Sequence, residues 1–444
     1  MKKRILSVAL AVTMAAGLFT GCGPSKKETE ERDYITVEGL KESFKTNLEI
    51  NTTDKIELVV WESLLGPDQF IQEAGEWFTQ LYPNITIKYI NVESSEANSK
   101  IVLDGPAGNG PDLFACAHDT IGKMAAQAAI EPIPQSEIDI VKGSVTAEAL
   151  QGATLNDSKG NSVLYGYPVS VETYALFYNK EMISEAEIPK TMADMVAYIK
   201  EFKADSNNKG KEAFLMDSDN AYYTVMFTST PDNHLYGPNG NDITATYQNT
   251  EAAVAQITND FLPLSEAIGM KSGDMDYKNN DSLFSNKKLA MNISGAWNIK
   301  VYEEDGVDFG ITSIPSLTGS ENPPTNFMGV RCMFVSAYSN HKNEAEAFAE
   351  FLLTKEMQKL RCEITSTMPS RDDVYADIED PKVKEYMEGL QKQIAHSYPM
   401  PNMPEASLYW SAFEAAMGNI WNGNTTDIQG ELDKANKSSL PPQK

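Results

Sequence analysis

The pattern of apolar and polar positions is clearest between residues 56 and 119. Alternating apolar positions predict a strand over residues 56–61, and helical spacing predicts a helix over residues 70–81. A second strand is predicted over residues 85–89 and a third at residues 113–115. This order indicates a parallel α/β sheet with crossover helices, in which ligands bind beyond the carboxyl ends of the strands. Trp61-Glu62 and residues 116–119 occupy such ends.

Two later extended segments are candidate crossings between domains. One is the strand-rich run over residues 164–178, and the other covers residues 308–315. Helices are predicted over residues 192–202, 344–353 and 407–421, and a strand over residues 288–293 leads into a glycine turn before Trp297. A chain of 444 residues is long enough for two or three domains. We therefore expect an α/β protein with more than one domain.

The first 22 residues predict export and lipidation. A basic start at residues 2–4 precedes an uncharged apolar run, residues 5–19, which is short for a membrane span. The run ends with small residues before Cys22, as in a bacterial lipobox, although an ordinary signal peptide is the alternative. We expect a signal peptide over residues 1–21, then the lipidated Cys22 and a flexible linker over residues 22–54. The protein would lie on the extracytoplasmic face of a bacterial cell membrane, held there by lipid alone.

Charge and cysteine content exclude several other classes of function. The chain has 37 Lys+Arg against 63 Asp+Glu, a net charge of −26, which repels nucleic acid. Beyond Cys22 there are Cys116, Cys332 and Cys362, an odd number without C-x-x-C spacing, so neither a disulfide framework nor a zinc site is encoded. A Cys332–Cys362 pair stays open, as does the role of Cys116. Four scattered histidines and no phosphate loop leave no metal or cofactor to expect.

Ten short motifs are distributed along the chain from about residue 55. They are Val60-Trp61, Gly110-Pro111-Asp112, Ala117-His118-Asp119, Tyr167-Pro168-Val169, Val171-Glu172, Tyr178-Asn179-Lys180, Gly295-Ala296-Trp297, Phe327-Met328-Gly329-Val330, Met400-Pro401-Asn402-Met403-Pro404 and Tyr409-Trp410. In their order and approximate spacing they resemble the maltose/maltodextrin-binding branch of the extracellular solute-binding proteins (family 1), the receptors of ABC sugar importers. The resemblance covers nearly the whole chain from about residue 55, and the Met-Pro-Asn-x-Pro run before an aromatic–Trp pair is the most specific motif.

This resemblance implies a two-lobed periplasmic-binding-protein fold of type II, with a hinge and a cleft between the lobes. Residues 55–170 with 316–363 would form the N-lobe, and residues 171–315 with 364–444 the C-lobe. It also implies a monomeric binding protein, not an enzyme, that captures maltose or maltooligosaccharides and delivers them to an ABC permease. The chain departs from enteric-type members of the family at Cys116 and Thr120, where they carry an aromatic residue and an Arg, and from the family at Glu414, where Arg is frequent.

The chemistry of the candidate residues agrees with a sugar cleft. A sugar ring has an apolar face, which aromatic planes bind, and a fringe of hydroxyls, which carboxylates bind. For the tryptophans the alternative is core burial, for Asp119 and Glu172 a cap or hinge hydrogen bond, and for Glu62 solvent exposure. Tyr222 and Tyr223 are both included as candidates, because either could correspond to an aromatic binding residue in the second lobe of the family. The expected substrate-binding residues are Trp61, Glu62, Asp119, Glu172, Tyr222, Tyr223, Trp297, Tyr409 and Trp410.

Other functions fit the sequence less well. A receptor for a different oligosaccharide or for a polyamine would also use aromatic and acidic side chains. A surface lectin that never meets a transporter is a further alternative. A secreted glycoside hydrolase would need two opposed carboxylates, for which Asp119 and Glu172 are the candidates. No G-x-S-x-G motif supports a serine nucleophile.

Overall fold

A computed structural model describes residues 32–156 and 161–442 of the chain. The predicted signal peptide and Cys22 lie outside these residues. The described strands are β1 Ile56–Glu62, β2 Ile85–Asn91, β3 Leu113–Ala117, β4 Thr154–Asn156, β5 Ser162–Leu164, β6 Tyr167–Asn179, β7 Glu212–Leu215, β8 Leu289–Gly295, β9 Phe309–Thr312, β10 Asn326–Val335 and β11 Ser397–Pro399. The described helices are α1 Val37–Ser43, α2 Pro67–Leu81, α3 Ser94–Asp104, α4 Ile121–Ala126, α5 Ile138–Ser144, α6 Ala147–Gly152, α7 Met192–Ala204, α8 Ala221–Thr224, α9 Glu251–Gln256, α10 Leu262–Ile268, α11 Tyr277–Ser285, α12 Ile299–Glu304, α13 Lys342–Phe351, α14 Lys355–Thr365, α15 Pro381–Ile394, α16 Ser407–Trp421 and α17 Ile428–Ser438.

Nine of the described strands form one mixed sheet in the order β2-β1-β3-β10-β6-β8-β7, with β11 on β10 and β9 on β6. β1 pairs with β2 and with β3 in parallel, which confirms the parallel arrangement predicted for the first three strands. Because β1 and β3 run in the same direction, their carboxyl ends meet at one edge of the sheet. The loop after Glu62 and the turn after Ala117 therefore lie close together.

The long strand β6 joins two halves of this sheet. Its first part, Tyr167 to Thr173, pairs with β10, while its second part, Tyr174 to Asn179, pairs with β8 and β9. All 13 of its residues except Glu172 are buried, as are all ten residues of β10. The predicted crossing over residues 164–178 corresponds to this strand. The second predicted extended segment contains β9, which stays beside the second part of β6.

A large apolar core packs around the second half of the sheet. It contains the second part of β6, residues of β8, and the buried faces of α7 and α16. A second group of buried aromatic rings lies around α2, where Phe78 contacts Phe348 and Phe351 of α13 at centroid distances of 5.2 and 5.4 Å. Each half of the sheet thus has its own packed helices, which is the arrangement expected of a two-domain α/β protein.

The linker predicted over residues 22–54 extends too far toward the C-terminus, because the structure shows that its later residues are folded. Thr36 caps α1 by accepting a hydrogen bond from the Gly39 amide, and Leu40 is fully buried. Phe44 packs edge-on against Phe78 and Phe351 at 6.3 and 5.6 Å. Farther along, the amides of Asn47 and Asn51 donate to Glu137 at 2.8 Å and to Glu344 at 2.9 Å. The weak apolar periodicity of this segment concealed these contacts in the sequence. Residues 35–54 therefore belong to the folded body.

Cys116, Cys332 and Cys362 are all buried free thiols, so Cys332 and Cys362 are not paired. Cys116 and Cys332 stand opposite each other on the antiparallel strands β3 and β10. Burial raises the pKa of the Cys116 thiol to about 11, which keeps it protonated and unreactive at neutral pH. In the described residues, no helix is long and apolar enough to cross a membrane.

Candidate functional site

A cavity of about 750 Å³ lies where the two halves of the sheet meet. One wall comes from the loops after β1 and β3 and from the end of α14, and the opposite wall from α8, the turn after β8 and α16. Glu172 of β6 and Gly329–Arg331 of β10 lie between the two walls. This volume is within the range of about 300–1,000 Å³ that is usual for small-molecule sites.

Five of the nine predicted binding residues line this cavity. They are contributed by the turn after β3, the crossing strand β6, helix α8, the turn after β8 and helix α16, elements far apart in the sequence. These residues are Asp119, Glu172, Tyr222, Trp297 and Trp410. The structure therefore brings together three aromatic rings and two carboxylates, which are the kinds of group that bind the apolar face and the hydroxyls of a sugar ring.

Trp297 is placed by the glycine turn that ends β8. A short 3-10 helix, Ala296–Asn298, follows the strand, and the indole ring folds back over residue 295. A Cβ atom at position 295 would lie 2.1 Å from the ring, so only glycine leaves room for this arrangement. The Gly-Ala-Trp motif thus has a steric explanation.

Trp410 and Tyr222 belong to one connected aromatic cluster. Tyr222 stacks on Phe327 with ring centroids 6.0 Å apart, and Phe327 meets Trp410 edge-on at 5.8 Å. Tyr222 also lies 6.2 Å from the Trp297 ring. Because each ring is held by another, the rings that face the cavity are oriented before any ligand arrives, which reduces the entropic cost of binding.

Asp119 lies in the turn that follows β3, at the start of the helical segment containing α4. Its carboxylate accepts no hydrogen bond from another residue that the structure describes, so its oxygens are available to a ligand. Burial in the cavity wall raises the pKa of Asp119 to about 6. The carboxylate is therefore ionised at neutral pH and close to its titration range.

Glu172 is the partly exposed residue of the otherwise buried strand β6. The Ser170 hydroxyl donates to its Oε1 at 3.1 Å, which leaves acceptor capacity on the carboxylate. Its position on the crossing strand puts an acceptor between the two walls of the cavity.

Glu62 does not line the cavity. The alternative expectation for this residue, exposure to solvent, is also wrong. It is fully buried and forms a bidentate ion pair with Arg331, whose Nε donates to Oε1 at 2.9 Å and whose Nη2 donates to Oε2. The Ser63 amide donates to Oε2 at 2.6 Å. The pKa of Glu62 is lowered because the charges of Arg331 and Arg361, with these hydrogen bonds, outweigh the raising effect of burial.

Trp61, Tyr223 and Tyr409 also lie outside the cavity lining. Trp61 is buried in β1 and packs edge-on against Phe114 at 6.5 Å. Tyr223 and Tyr409 are buried behind the neighbouring Tyr222 and Trp410, which face the cavity. In both aromatic pairs the helix turns one ring toward the cavity and the other into the core, because successive helical residues point about 100° apart.

His118 has a structural role in shaping this site. The Val330 amide donates to its Nδ1 at 3.0 Å, so Nε2 carries the proton and donates to the Met400 carbonyl at 2.9 Å. Burial lowers the pKa of His118 to about 4, which keeps the ring neutral. The side chain thereby ties the turn after β3 to β10 and to the Met-Pro-Asn-Met-Pro run.

The sequence did not single out several polar residues that line the cavity. Arg331 is a charged residue within the apolar strand β10, and that contrast was the available signal. Arg361 on α14 gave no such signal, because a charged residue on a helix is usually exposed. Glu414, noted only as a departure from the family, lies in the wall beside Trp410. Further polar residues of this group are Ser63, Glu93, Ser94, Ser95, Asn98, Asn220, Asn298, Lys300, Thr365 and Thr367. Within the described part of the chain, no group of three acidic, His or Cys side chains is placed to hold a metal ion.

The chain belongs to the bacterial extracellular solute-binding proteins, whose family profile matches residues 73–391. This membership confirms the expected binding protein, as opposed to an enzyme, and the glycoside hydrolase alternative is not retained. The family name also agrees with the predicted extracytoplasmic location.

Curated relatives and solved structures agree with this assignment. The chain is 30% identical to a galactooligosaccharide-binding protein of Bacillus subtilis, over 85% of this chain and 87% of the relative. It is 26% identical to a maltooligosaccharide ABC transporter solute-binding lipoprotein of Streptococcus pneumoniae, over 70% and 71% of the two chains. A solved cyclo/maltodextrin-binding protein complexed with maltotetraose matches with a TM-score of 0.71 and 26% identity, covering 86% of this chain and 96% of the other. The predicted two-lobed fold is thereby confirmed.

Proposed function

We propose that this protein captures linear maltooligosaccharides in the cavity and delivers them to an ABC permease. The observation that carries this proposal is the convergence of Tyr222, Trp297 and Trp410 with Asp119 and Glu172 around one cavity of about 750 Å³. Relatives that bind maltooligosaccharides support the choice of ligand.

The division of labour follows from the chemistry of a sugar ring. Trp297 and Trp410 cover C–H faces and remove them from water, and Tyr222 completes the aromatic side of the cavity. Asp119 and Glu172 accept charge-assisted hydrogen bonds from hydroxyl groups. The apolar faces of the sugar ring and its hydroxyl groups are thus both bound, which gives the ligand both affinity and a defined orientation.

A second ligand class is favoured by one comparison. The Bacillus subtilis relative, at 30% identity, is a galactooligosaccharide-binding protein. Cys116 and Thr120 both line the cavity, at the positions where enteric-type members of the maltodextrin-binding branch carry an aromatic residue and an Arg. A galactooligosaccharide is therefore the alternative ligand.

Binding would be coupled to closure of two lobes about the crossing strands. We place the change of lobe on β6 at residues 173–174, where its partner changes from β10 to β8, near the predicted boundary at residue 170. Ligand touches both walls fully only when they approach, so it stabilises the closed form. The closed monomer then docks on the permease.

Lipid attachment at Cys22 would hold this receptor beside its permease. The lipobox-like residues before Cys22 support it, and a Streptococcus pneumoniae relative is a lipoprotein. Two acyl chains give stable anchoring where a single chain gives only reversible binding.

A thermal-shift panel tests the proposed ligand. Maltotriose, maltotetraose, a β-1,4-linked galactotetraose, cellotriose and spermidine are each added to the apo protein. A ligand at 100 times its Kd stabilises the folded state by about 2.7 kcal/mol, which raises the melting temperature visibly. We expect the shift with maltotriose and maltotetraose. A shift with the galactotetraose alone would favour the second ligand class, and a shift with spermidine alone would overturn both.

A further inference from the structure

Arg361 is a buried cation at the wall of the cavity. It projects from α14, lines the cavity and is only 1% exposed. Its Nε and Nη1 find no hydrogen-bond acceptor among the residues that the structure describes. A guanidinium has five N–H donors, and burying them without acceptors is costly.

The nearest carboxylate cannot satisfy these donors. Oε1 of Glu62 lies 3.7 Å from Nη1 of Arg361, beyond hydrogen-bond distance. Both Glu62 oxygens already accept from Arg331, and one of them also accepts from the Ser63 amide. Beneath the guanidinium lies the ring of Phe70, with its centroid 5.2 Å from Cζ. The Phe70 ring orients Arg361 but offers its N–H groups no oxygen.

The surrounding charges balance. Glu62 and Arg331 form one ion pair, and the charge of Glu172 acts on both Arg331 and Arg361. Two carboxylates and two guanidinium groups sum to zero. What Arg361 lacks is oxygen atoms at hydrogen-bond distance, and an anionic ligand is not required to supply them.

We propose that Arg361 is a ligand-contacting, specificity-determining residue, whose free N–H groups donate to hydroxyl oxygens of one sugar ring. This inference rests on the proposed sugar-binding function. The ring would lie beneath the loop between β1 and α2, where Leu64 and Leu65 line the cavity and are 47% and 42% exposed. These two apolar side chains cover a sugar face, and Arg361 and Glu172 supply a donor and an acceptor for its hydroxyls.

The substitution Arg361→Met tests this role because it keeps the length of the side chain and removes its donors. Glu62 keeps its partner Arg331, and the negative charge that Arg361 balanced falls on Glu172, which is partly exposed to solvent. The apo variant is expected to melt at the same temperature as wild type or higher, while its Kd for the ligand found in the panel increases about 10- to 100-fold. Arg371→Met is the matched control, because Arg371 pairs with Asp373 outside the cavity. Its Kd is expected to equal that of wild type.

A series of deoxygenated ligands distinguishes a ligand contact from a purely structural role of Arg361, because a structural role would not make the Kd depend on one particular hydroxyl. Calorimetric titration with singly deoxygenated trisaccharides identifies the hydroxyl whose loss weakens binding to wild type but not to Arg361→Met. Finding that hydroxyl supports the inference. An unchanged Kd for Arg361→Met, a lower apo melting temperature, or equal losses for every analogue would overturn it. Failure of the wild type to bind any sugar would instead overturn the proposed function.

Discussion

Gly295 provides the space that the Trp297 ring occupies, since a Cβ atom at position 295 would lie 2.1 Å from the indole. The backbone at Gly295 is extended, with φ −117°, so its conformation alone does not require glycine. Steric room for the ring is what requires it.

The substitution Gly295→Ala is therefore expected to displace Trp297 and weaken sugar binding at least about tenfold, or about 1.4 kcal/mol. Gly273→Ala is the matched control, because an added Cβ there meets nothing within 4 Å. Calorimetric titration of both variants measures the effect. Equal affinity of Gly295→Ala and Gly273→Ala would show that the position of Trp297 does not matter for binding.

Sugar affinity is expected to fall as the pH is lowered through about 6. Burial raises the pKa of Asp119 to about 6, so the carboxylate that accepts from sugar hydroxyls becomes protonated below that pH. The Kd should be larger at pH 5 than at pH 7.5, and Asp119→Asn should show a weaker but nearly pH-independent Kd between these values. A wild-type Kd that stays constant over this range would contradict a ligand contact by Asp119.

Protein stability should fall as the pH rises from 6.5 to 9. Burial and neighbouring carboxylates raise the pKa of Glu346 to about 8 and of Glu350 to about 9. Between their unfolded and folded pKa values the folded state holds more protons, so each group lowers the unfolding free energy by up to about 1.4 kcal/mol per pH unit. Urea denaturation across this range measures the slope.

The variant Glu350→Gln assigns part of that slope to one residue. Both Glu350 oxygens are buried, and the carboxylates of Glu137 and Glu346 lie nearby. A neutral amide should therefore make the variant more stable than wild type at pH 8.5, with a smaller difference at pH 6.5. A variant that is less stable at pH 8.5 would show that the Glu350 carboxyl makes a favourable contact.

Replacing Cys22 with Ala should abolish lipid labelling and release the protein from the membrane. The prediction depends on the lipobox-like sequence before Cys22, because a diacylglyceryl group needs the thiol. Cell fractionation with labelled fatty acid separates the two forms. A variant that stays as firmly bound as wild type would remove the lipoprotein proposal.

Periodicity was sufficient for the elements that are regular and amphipathic. The predicted helix over residues 407–421 coincides with α16, and the strand over residues 56–61 corresponds to β1. Cavity-lining residues could be predicted where a motif lies next to the end or the start of an element, as for Trp297 after β8 and Trp410 in the first turn of α16. The motif did not show which residue of an adjacent aromatic pair lines the cavity.

Glu62 and Arg361 show what the sequence could not reveal. Glu62 lies at the end of β1, where the last three residues of the strand are all buried. Because burial does not alternate there, a pattern of alternating apolar and polar residues could not predict that Glu62 is buried. Its partner Arg331 is 269 residues away, and only the pairing of distant strands brings the two together. Arg361 is buried by tertiary packing alone, on a helix whose charged residues would otherwise be expected to face solvent.

Calorimetric titration of wild type and Trp410→Ala with maltotetraose tests the central claim most directly. If the Trp410 ring covers a sugar face, the variant loses about 1–3 kcal/mol of binding, a roughly five- to hundredfold larger Kd. Its apo melting temperature should fall less than that of Trp421→Ala, because Trp421 is buried with its Nε1 bonded to the Met270 carbonyl at 2.9 Å. A Trp410→Ala variant that binds maltotetraose like wild type but melts much lower would show that Trp410 belongs to the core and that the cavity is not the sugar site.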